Sequence, residues 1–542
     1  TIHIGLGKEN KVDSLIVIWP NASYQVIKNI KLNQEITLQI NDAHNNYYSD
    51  FKKIIKPLLT NVDSLINFCH KDLISIEFSR DPLIPFATTN LGPSIAVADI
   101  NNDKLNDIFI GGGKTQTSKL FIQKNDGSFI NKKTEVFEKD AMSEDVDQAF
   151  FDADNDGDMD LIVVSGGNEF RHGKPLEPRF YKNNNGTFIK DTIQFKGIEV
   201  NASKVKVVDI DNDNNLDICI TSNVVPWQFG VTPQQYIFKN NGSGLFKNIT
   251  KNYAPEFQSI GNVQDILWVD INNDNFKDAI AVGYWMPVSI FLNDGKHLKL
   301  INNNNLQLTN GWWNTIVAND FDKDGDVDLV VGNWGLNTRL KASIKQPITL
   351  YRNDFDDNGS VEPVLSYFYN GIETTFSSKD ELVKQMPFIN KKYLSYSAFA
   401  KAGFKDIFPV EKINNAYKKQ VYELASCYFE NEGDNTFKKR QLPLMTQISQ
   451  VNDIAVDDFD NDGYQDILLV GNNYQISTQL GRLDASHGTL LLNDKKGFFN
   501  SVNNQNFDIS GPARDIKKIK IKDSEYYIIS INNSSPIFLK KD

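Results

Sequence analysis

Seven short acidic segments hold the residues best placed to do chemistry. They start at Asp99, Asp152, Asp209, Asp270, Asp320, Asp354 and Asp458 and read DINNDKLND, DADNDGDMD, DIDNDNNLD, DINNDNFKD, DFDKDGDVD, DFDDNGSVE and DFDNDGYQD. Side-chain oxygens fall at positions one, three, five and nine of each, and position seven offers a backbone carbonyl. Hard oxygens at this spacing gather around a hard cation. The first three loops offer Asp99, Asn101, Asp103, Leu105 and Asp107; Asp152, Asp154, Asp156, Asp158 and Asp160; and Asp209, Asp211, Asp213, Asn215 and Asp217. The next two offer Asp270, Asn272, Asp274, Phe276 and Asp278, then Asp320, Asp322, Asp324, Asp326 and Asp328. The last two offer Asp354, Asp356, Asn358, Ser360 and Glu362, then Asp458, Asp460, Asp462, Tyr464 and Asp466.

Calcium suits these loops better than magnesium, which demands tighter octahedral geometry. The spacing is like that of EF-hand loops, whose sixth residue turns sharply and favours glycine. Gly157, Gly325, Gly359 and Gly463 meet that need, and Asn214 and Asn275 tolerate left-handed geometry. Lys104 is the poorest fit. Without cations each loop would crowd several like charges together, which is costly. Seven divalent ions would more than cancel the net charge of −12. One such segment could be a plain polar turn, but seven in register with a strand pattern argue against that. Nearly complete ligand sets in every blade but one point to structural rather than catalytic metal, and to up to seven calcium ions. The same carboxylates are therefore discounted as a glycosidase acid and base.

The elements around the loops are strands. Before them lie SIAVA (Ser94 to Ala98), KVKVV (Lys204 to Val208) and DIAV (Asp453 to Val456), and after them IFIG, LIVV, ICIT, AIAV, LVVG and ILLV. Such β-rich runs fit strands buried on both faces. Further runs end in Asn-Gly or Asp-Gly turns, a strong hairpin signal. The first five loops start about 50–60 residues apart, a period that suits a four-stranded propeller blade. The predicted fold is therefore all-β, a seven-bladed β-propeller over 81–542. The Asp354 loop follows Asp320 too soon for a new blade and is placed inside blade five, and the Asp458 loop opens blade six. The tail from Ala513 to Lys541 is read as a seventh blade without metal, with a strand near Ile74 to Phe78 expected to help close it. KDELVKQM, SAFAKAG and INNAYKKQVYEL predict a helical insertion in blade five over 372–422. Residues 1–43 read as a small β segment broken at WPNAS, and 44–80 as a helical linker, with a helix over SDFKKIIKPLLTNVDSLINF.

Composition sets the outer limits. With 35 Phe and 19 Tyr the chain can bury a sizeable core. The negative net charge argues against nucleic-acid binding through a basic face. No apolar run approaches the roughly 20 residues of a membrane helix. The three cysteines form no CxxC and the six histidines no zinc spacing. The opening TIHIGLG, already strand-like, is read as part of a longer chain.

The loops and their flanks resemble the FG-GAP or VCBS repeat propellers, the class that includes integrin α-chain heads. The likeness spans about Asp81 to Lys541. IHIGLG (Ile2 to Gly7) and VDSLIVIWP (Val12 to Pro20) are similar to the end of an ASPIC/UnbV domain, although Asn21, Ala22 and Ser23 depart from its usual WPsG. HKD at His70, NLGPSIAVAD, GWWN at Gly311, GNWGLNT at Gly332 and DFDDNGSVEP resemble one subgroup of large Bacteroidota proteins. That resemblance implies a secreted or lipid-anchored protein on the extracellular face of the outer membrane, near TonB-dependent transporters of the starch-utilisation type.

In this resemblance the loops opposite the acidic ones surround the axis. They carry Phe170, Arg171, His172, Arg179, Trp227, Phe229, Tyr284, Trp285, Trp312, Trp313, Trp334, Arg339, Tyr474, Arg482 and His487. Aromatics with a few polar groups in a concave centre suit a glycan or peptide ligand. The competing reading packs the tryptophans between blades. Three functions follow: a non-enzymatic module docking a protein such as an outer-membrane transporter, a glycan-binding protein, or a polysaccharide lyase or hydrolase. The first is favoured. No GxSxG, HExxH, P-loop or Cys–His arrangement occurs, and only Arg171, His172 and Arg179 offer a lyase-like group.

Overall fold

The computed structural model describes residues 2–7, 9–47, 57–302, 305–433, 436–502 and 507–542. The chain divides into two compact units, Thr1–Pro57 and Leu58–Asp542. In the first, strands Val12–Ile18 and Ser23–Ile30 form an antiparallel hairpin with Ile16 opposite Val26, and His44–Asn46 adds a third strand. The polar break predicted at WPNAS is the hairpin turn. There the Trp19 N–H donates to Ser23 O at 2.8 Å, and Asn21 Oδ1 accepts the Ser23 N–H at 3.1 Å.

The second unit is all-β and propeller-like, built from four-stranded antiparallel sheets. The first sheet is Ile95–Ala98, Asp107–Ile110, Lys119–Gln123 and Phe129–Lys132, each strand paired with the next. The same order recurs in sheets whose innermost strands are Asp145–Phe151, Ala202–Val208, Asn262–Val269, Thr315–Asn319, Val451–Asp457 and Ala513–Ile521. These innermost strands touch one another in chain order, and the last touches the first. Their second strands are apolar throughout, as in DLIVVS and DICITS, because both sheet faces are covered by neighbouring sheets.

An aspartate stitches neighbouring inner strands together at four places. Asp147 accepts the Val205 N–H at 2.9 Å, and Asp265 the Ile316 N–H at 3.1 Å. Asp453 accepts the Ile516 N–H at 2.9 Å, and Asp515 the Ile95 N–H at 2.7 Å. The last of these joins the seventh sheet to the first. All four carboxylates are largely or fully buried, so the charge-assisted bonds are worth more than surface ones.

Two expectations need correction here. The fourth strand of the last sheet is Leu59–Val62, not Ile74 to Phe78. Leu59 is buried against Ile516, Tyr527 and Leu539, whereas Ile74 is 94% exposed. The alternation in ISIEF resembles a strand, but Glu77 turns inward and accepts hydrogen bonds from Thr88 N–H and Oγ1 and from Asn168 Nδ2, starting the helical turn Glu77–Arg80. The helix predicted over SDFKKIIKPLLTNVDSLINF lies for residues 49–56 outside the described residues, and its later part holds the strand Leu59–Val62.

The second correction concerns the insertion. It begins earlier and carries its own sheet, ordered Ile372–Thr375, Glu362–Tyr369, Ile348–Asn353, Tyr417–Val421. Five short helices between Lys379 and Asn415 cover that sheet through Leu382, Met386, Ile389, Phe404 and Phe408. The Asp354 loop joins two strands of this inserted sheet rather than strands of the fifth sheet, whose outer pair is Cys427–Asn431 and Phe437–Gln441.

Candidate cation loops and the opposite rim

All seven acidic loops share one backbone path. Position six is left-handed in each, with φ from 65° at Asn214 to 101° at Gly325, and Lys104 adopts 68° despite its side chain. The position-one carboxylate holds that turn. In the third loop Asp209 Oδ1 accepts the Asp213 N–H at 3.2 Å and Oδ2 the Asn214 N–H at 2.8 Å, and Asp458 repeats this at 2.9 and 2.8 Å.

The position-nine acid anchors the loop to its sheet. Asp217 Oδ2 accepts the Ile210 N–H at 3.3 Å, and Oδ1 accepts the Asn240 N–H of the third strand at 2.7 Å. Asp107, Asp160, Asp278, Asp328 and Asp466 make the same pair of bonds. Asn240 Nδ2 then reaches Ala153 O of the preceding loop at 2.8 Å, so the loops brace one another. Burial pushes these acids up, Asp217 to about 7 and Asp160 and Asp466 to about 6, with the loop's other carboxylates adding to it. A bound cation opposes that shift.

Carboxylates converge in five of the loops. One oxygen from each of Asp152, Asp154 and Asp156 lies within 4.8 Å of the others, and the same holds for Asp209, Asp211 and Asp217. Asp320, Asp322 and Asp324, then Asp354, Asp356 and Glu362, then Asp458, Asp460 and Asp466 form equivalent groups. In the loops at Asp99 and Asp270, Asn101 and Asn272 take position three, and their amides donate to Asp103 and Asp274 at 3.1 and 2.9 Å. The groups fit a metal ion. Asp154, Asp211, Asp320 and Asp356 each keep a buried Oδ1 with no hydrogen-bond partner. Such an orphan costs about 1–3 kcal/mol, more when charged, unless something positive meets it.

The opposite rim departs from its expectation. Trp312 and Trp313 are 0% exposed, Trp334 1% and Trp285 6%, so none of the four presents a binding surface. Trp313 packs against Phe429, and Trp285 against Phe229 and Trp312, while Trp312 and Trp334 are covered by Phe86, from the segment that enters the first sheet. Its ring sits among Phe229, Tyr284, Trp312 and Trp334 with centroids 5.0–5.5 Å away. Bonds from Ala87 N–H to Gln475 O and from Ser477 N–H to Pro85 O, both 2.9 Å, hold it there. The expected ligand cage is thus filled by the chain itself: Trp285, Trp312 and Trp334 share one buried cluster with Phe86 and with Ile348, Leu350 and Leu365 of the inserted sheet, and only Trp313 packs between blades as the competing reading had it. Phe86 carried no repeat signal that would have singled it out.

The other candidates scatter. Arg179 is buried in an ion pair with Asp145 at 2.5 Å, His172 faces Glu199 at 3.3 Å and His487 faces Asp508 at 2.6 Å. Arg171, His172 and Arg179 therefore have separate partners. Arg339 lies over Phe376 and donates to Gln479 Oε1 at 3.1 Å, and Arg482 lies over Tyr474. One pair does meet. Arg171, from the second sheet's loop, lies 5.9 Å from the ring centroid of Trp227 in the third sheet's loop, and Arg80 lies 5.2 Å from it. Trp227 is 41% exposed and left-handed at φ 64°. Its N–H donates to Asn168 Oδ1 at 2.8 Å and its Nε1–H to Asn168 O at 3.1 Å. Holding a bulky residue in that backbone region costs about 1–3 kcal/mol.

Comparison with known proteins agrees with the loops. The model of the FG-GAP-like repeat matches residues 99–163, 152–220 and 270–331, and that of ASPIC and UnbV matches 1–45. No curated protein matches. Similar solved structures include the V. cholerae biofilm matrix protein Bap1, at 10% identity and a TM-score of 0.33 over 86% of this chain and 89% of that one. BBS1N in complex with ARL6DN gives 10% identity and 0.38 over 90% and 97%, and YCF48 bound to D1 peptide 9% and 0.36 over 84% and 95%. The chain carries an ASPIC and UnbV segment followed by FG-GAP-like repeats.

Proposed function

We propose that this chain is a seven-bladed, calcium-stabilised β-propeller that acts as a non-enzymatic interaction module at the cell surface, docking a protein of an outer-membrane transport complex. The observation that carries the calcium reading is the set of orphaned buried oxygens on Asp154, Asp211, Asp320 and Asp356, each in a loop of converging carboxylates. Oxygen-only ligands at flexible spacing favour calcium over magnesium. The docking reading draws on the strained, exposed Trp227 between two guanidinium groups, since Trp and Arg dominate interface hot spots. A glycan reading retains Trp227 and Tyr474 but loses the four buried tryptophans.

Gentle affinity purification of the full-length protein from its own membranes, with calcium present, tests the proposal. Stoichiometric recovery of an outer-membrane transporter, lost in W227A, supports docking. Recovery of the protein alone overturns docking in a stable complex and moves the weight to free glycan capture.

A further inference from the structure

The acidic loops differ at one neighbouring position, and the difference is electrostatic. The residue just before the third-strand Asn that binds the position-nine acid is lysine in the second and third sheets and leucine in the fourth. Lys182 Nζ comes within 3.5 Å of Asp154. Lys239 goes further and bridges two candidate ligands, forming a close ion pair with Asp211 and lying 3.2 Å from Asp213 Oδ2. Leu292, the fourth-sheet equivalent, brings no charge to its loop.

Lys239 does not fill its site. It takes Asp211 Oδ2, while Asp211 Oδ1 remains buried and without a hydrogen-bond partner. An ion can therefore still be coordinated, but with an ammonium beside it. Two effects weaken that ion. The ammonium repels it, and part of the carboxylate charge that would attract it is already neutralised.

We propose that Lys239 is a built-in counter-ion that makes the Asp209 loop a weaker calcium site than its converging carboxylates would otherwise form. The inference rests on the reading of the loops as calcium sites. It assigns Lys239, and more weakly Lys182, as a residue that lowers the affinity of its own loop. A half-exposed ammonium near a divalent ion should weaken binding by roughly tenfold.

Equilibrium dialysis with radiocalcium on the whole chain tests this, with circular dichroism confirming that each variant is folded. In K239M, one ion per chain should move to roughly tenfold lower free calcium. K239R should keep that ion weak, and D211N should remove it. K182M, which removes the ammonium 3.5 Å from Asp154, should tighten one further ion by a smaller step. The proposal is overturned if K239M and wild-type isotherms superimpose while D211N loses an ion. Absence of any calcium binding by the wild type overturns the calcium reading itself, and is distinguishable from that result.

Discussion

The acidic loops and the opposite rim belong to the same sheets, yet their sequences inform in opposite ways. Each loop is a nine-residue circuit closed by its own carboxylates, as when Asp209 ties down Asp213 and Asn214 and Asp217 ties down Ile210. Its geometry is local, so its spacing can be read directly. The rim is assembled from segments distant in the chain. Trp312 and Trp334 become core only because Phe86 is delivered among them. Repetition marks residues with a shared local task. Composition alone does not separate an aromatic ligand cage from an aromatic core.

That contrast can be broken or sharpened by experiment. Removing calcium should have the largest effect. Each ion present at a hundredfold its Kd contributes about 2.7 kcal/mol, so chelation should lower Tm steeply and added calcium should restore it. An unchanged Tm in chelator would make the loops plain turns. Next, Phe86→Ala should cost about 3–5 kcal/mol in denaturant unfolding, because it empties a fully buried aromatic site. A loss below about 1 kcal/mol would mean that the rim tryptophans pack without it.

Asp217→Ala should cost about 2–4 kcal/mol even in chelator, because the Ile210 and Asn240 N–H groups lose their buried acceptor. If the loss disappears once calcium is removed, the acid serves the metal alone. A smaller, pH-dependent effect belongs to Lys419. Burial, with Arg352 nearby, lowers it to about 7, while its Nζ donates to Thr232 and Asn262 and lies near the Tyr417 ring. Above that pH the folded chain holds it neutral, whereas the unfolded chain keeps the proton. Stability should therefore rise with pH from about 7 to 9 by up to about 1 kcal/mol per unit, a slope that K419M abolishes. Trp227→Ala should change stability least, by under about 1 kcal/mol, since the lost packing is offset by lesser strain. A larger loss would make Trp227 structural rather than a docking residue.

Much of the frame was legible. The seven loops, their flanking strands and the strands of the last sheet follow from alternation and turn residues, and even Lys104 takes the left-handed turn that its loop requires. The interlocking acids left a weaker signal: Asp265 is the lone charge of its strand, NVQDILWV, whereas Asp147, Asp453 and Asp515 share theirs with other charged residues. Edge pairing was not legible. ISIEF and LTNV both read as short strands, and only the exposed edge of Ile537–Lys541 selects Leu59–Val62. The insertion misled because its helices have clear local periodicity, while Tyr417–Val421 joins its sheet by pairing with Ile348–Asn353, about 70 residues upstream.

The repeat, the loop chemistry and the charge that calls for cations are written in residues a few positions apart, where backbone sterics and Asx-type hydrogen bonds leave few alternatives. Which strand closes the last sheet, which aromatics are buried and which arginine meets Trp227 were settled only when distant segments competed for the same apolar and polar partners. Burial is a property of what covers a residue, and the covering segment lies elsewhere in the chain.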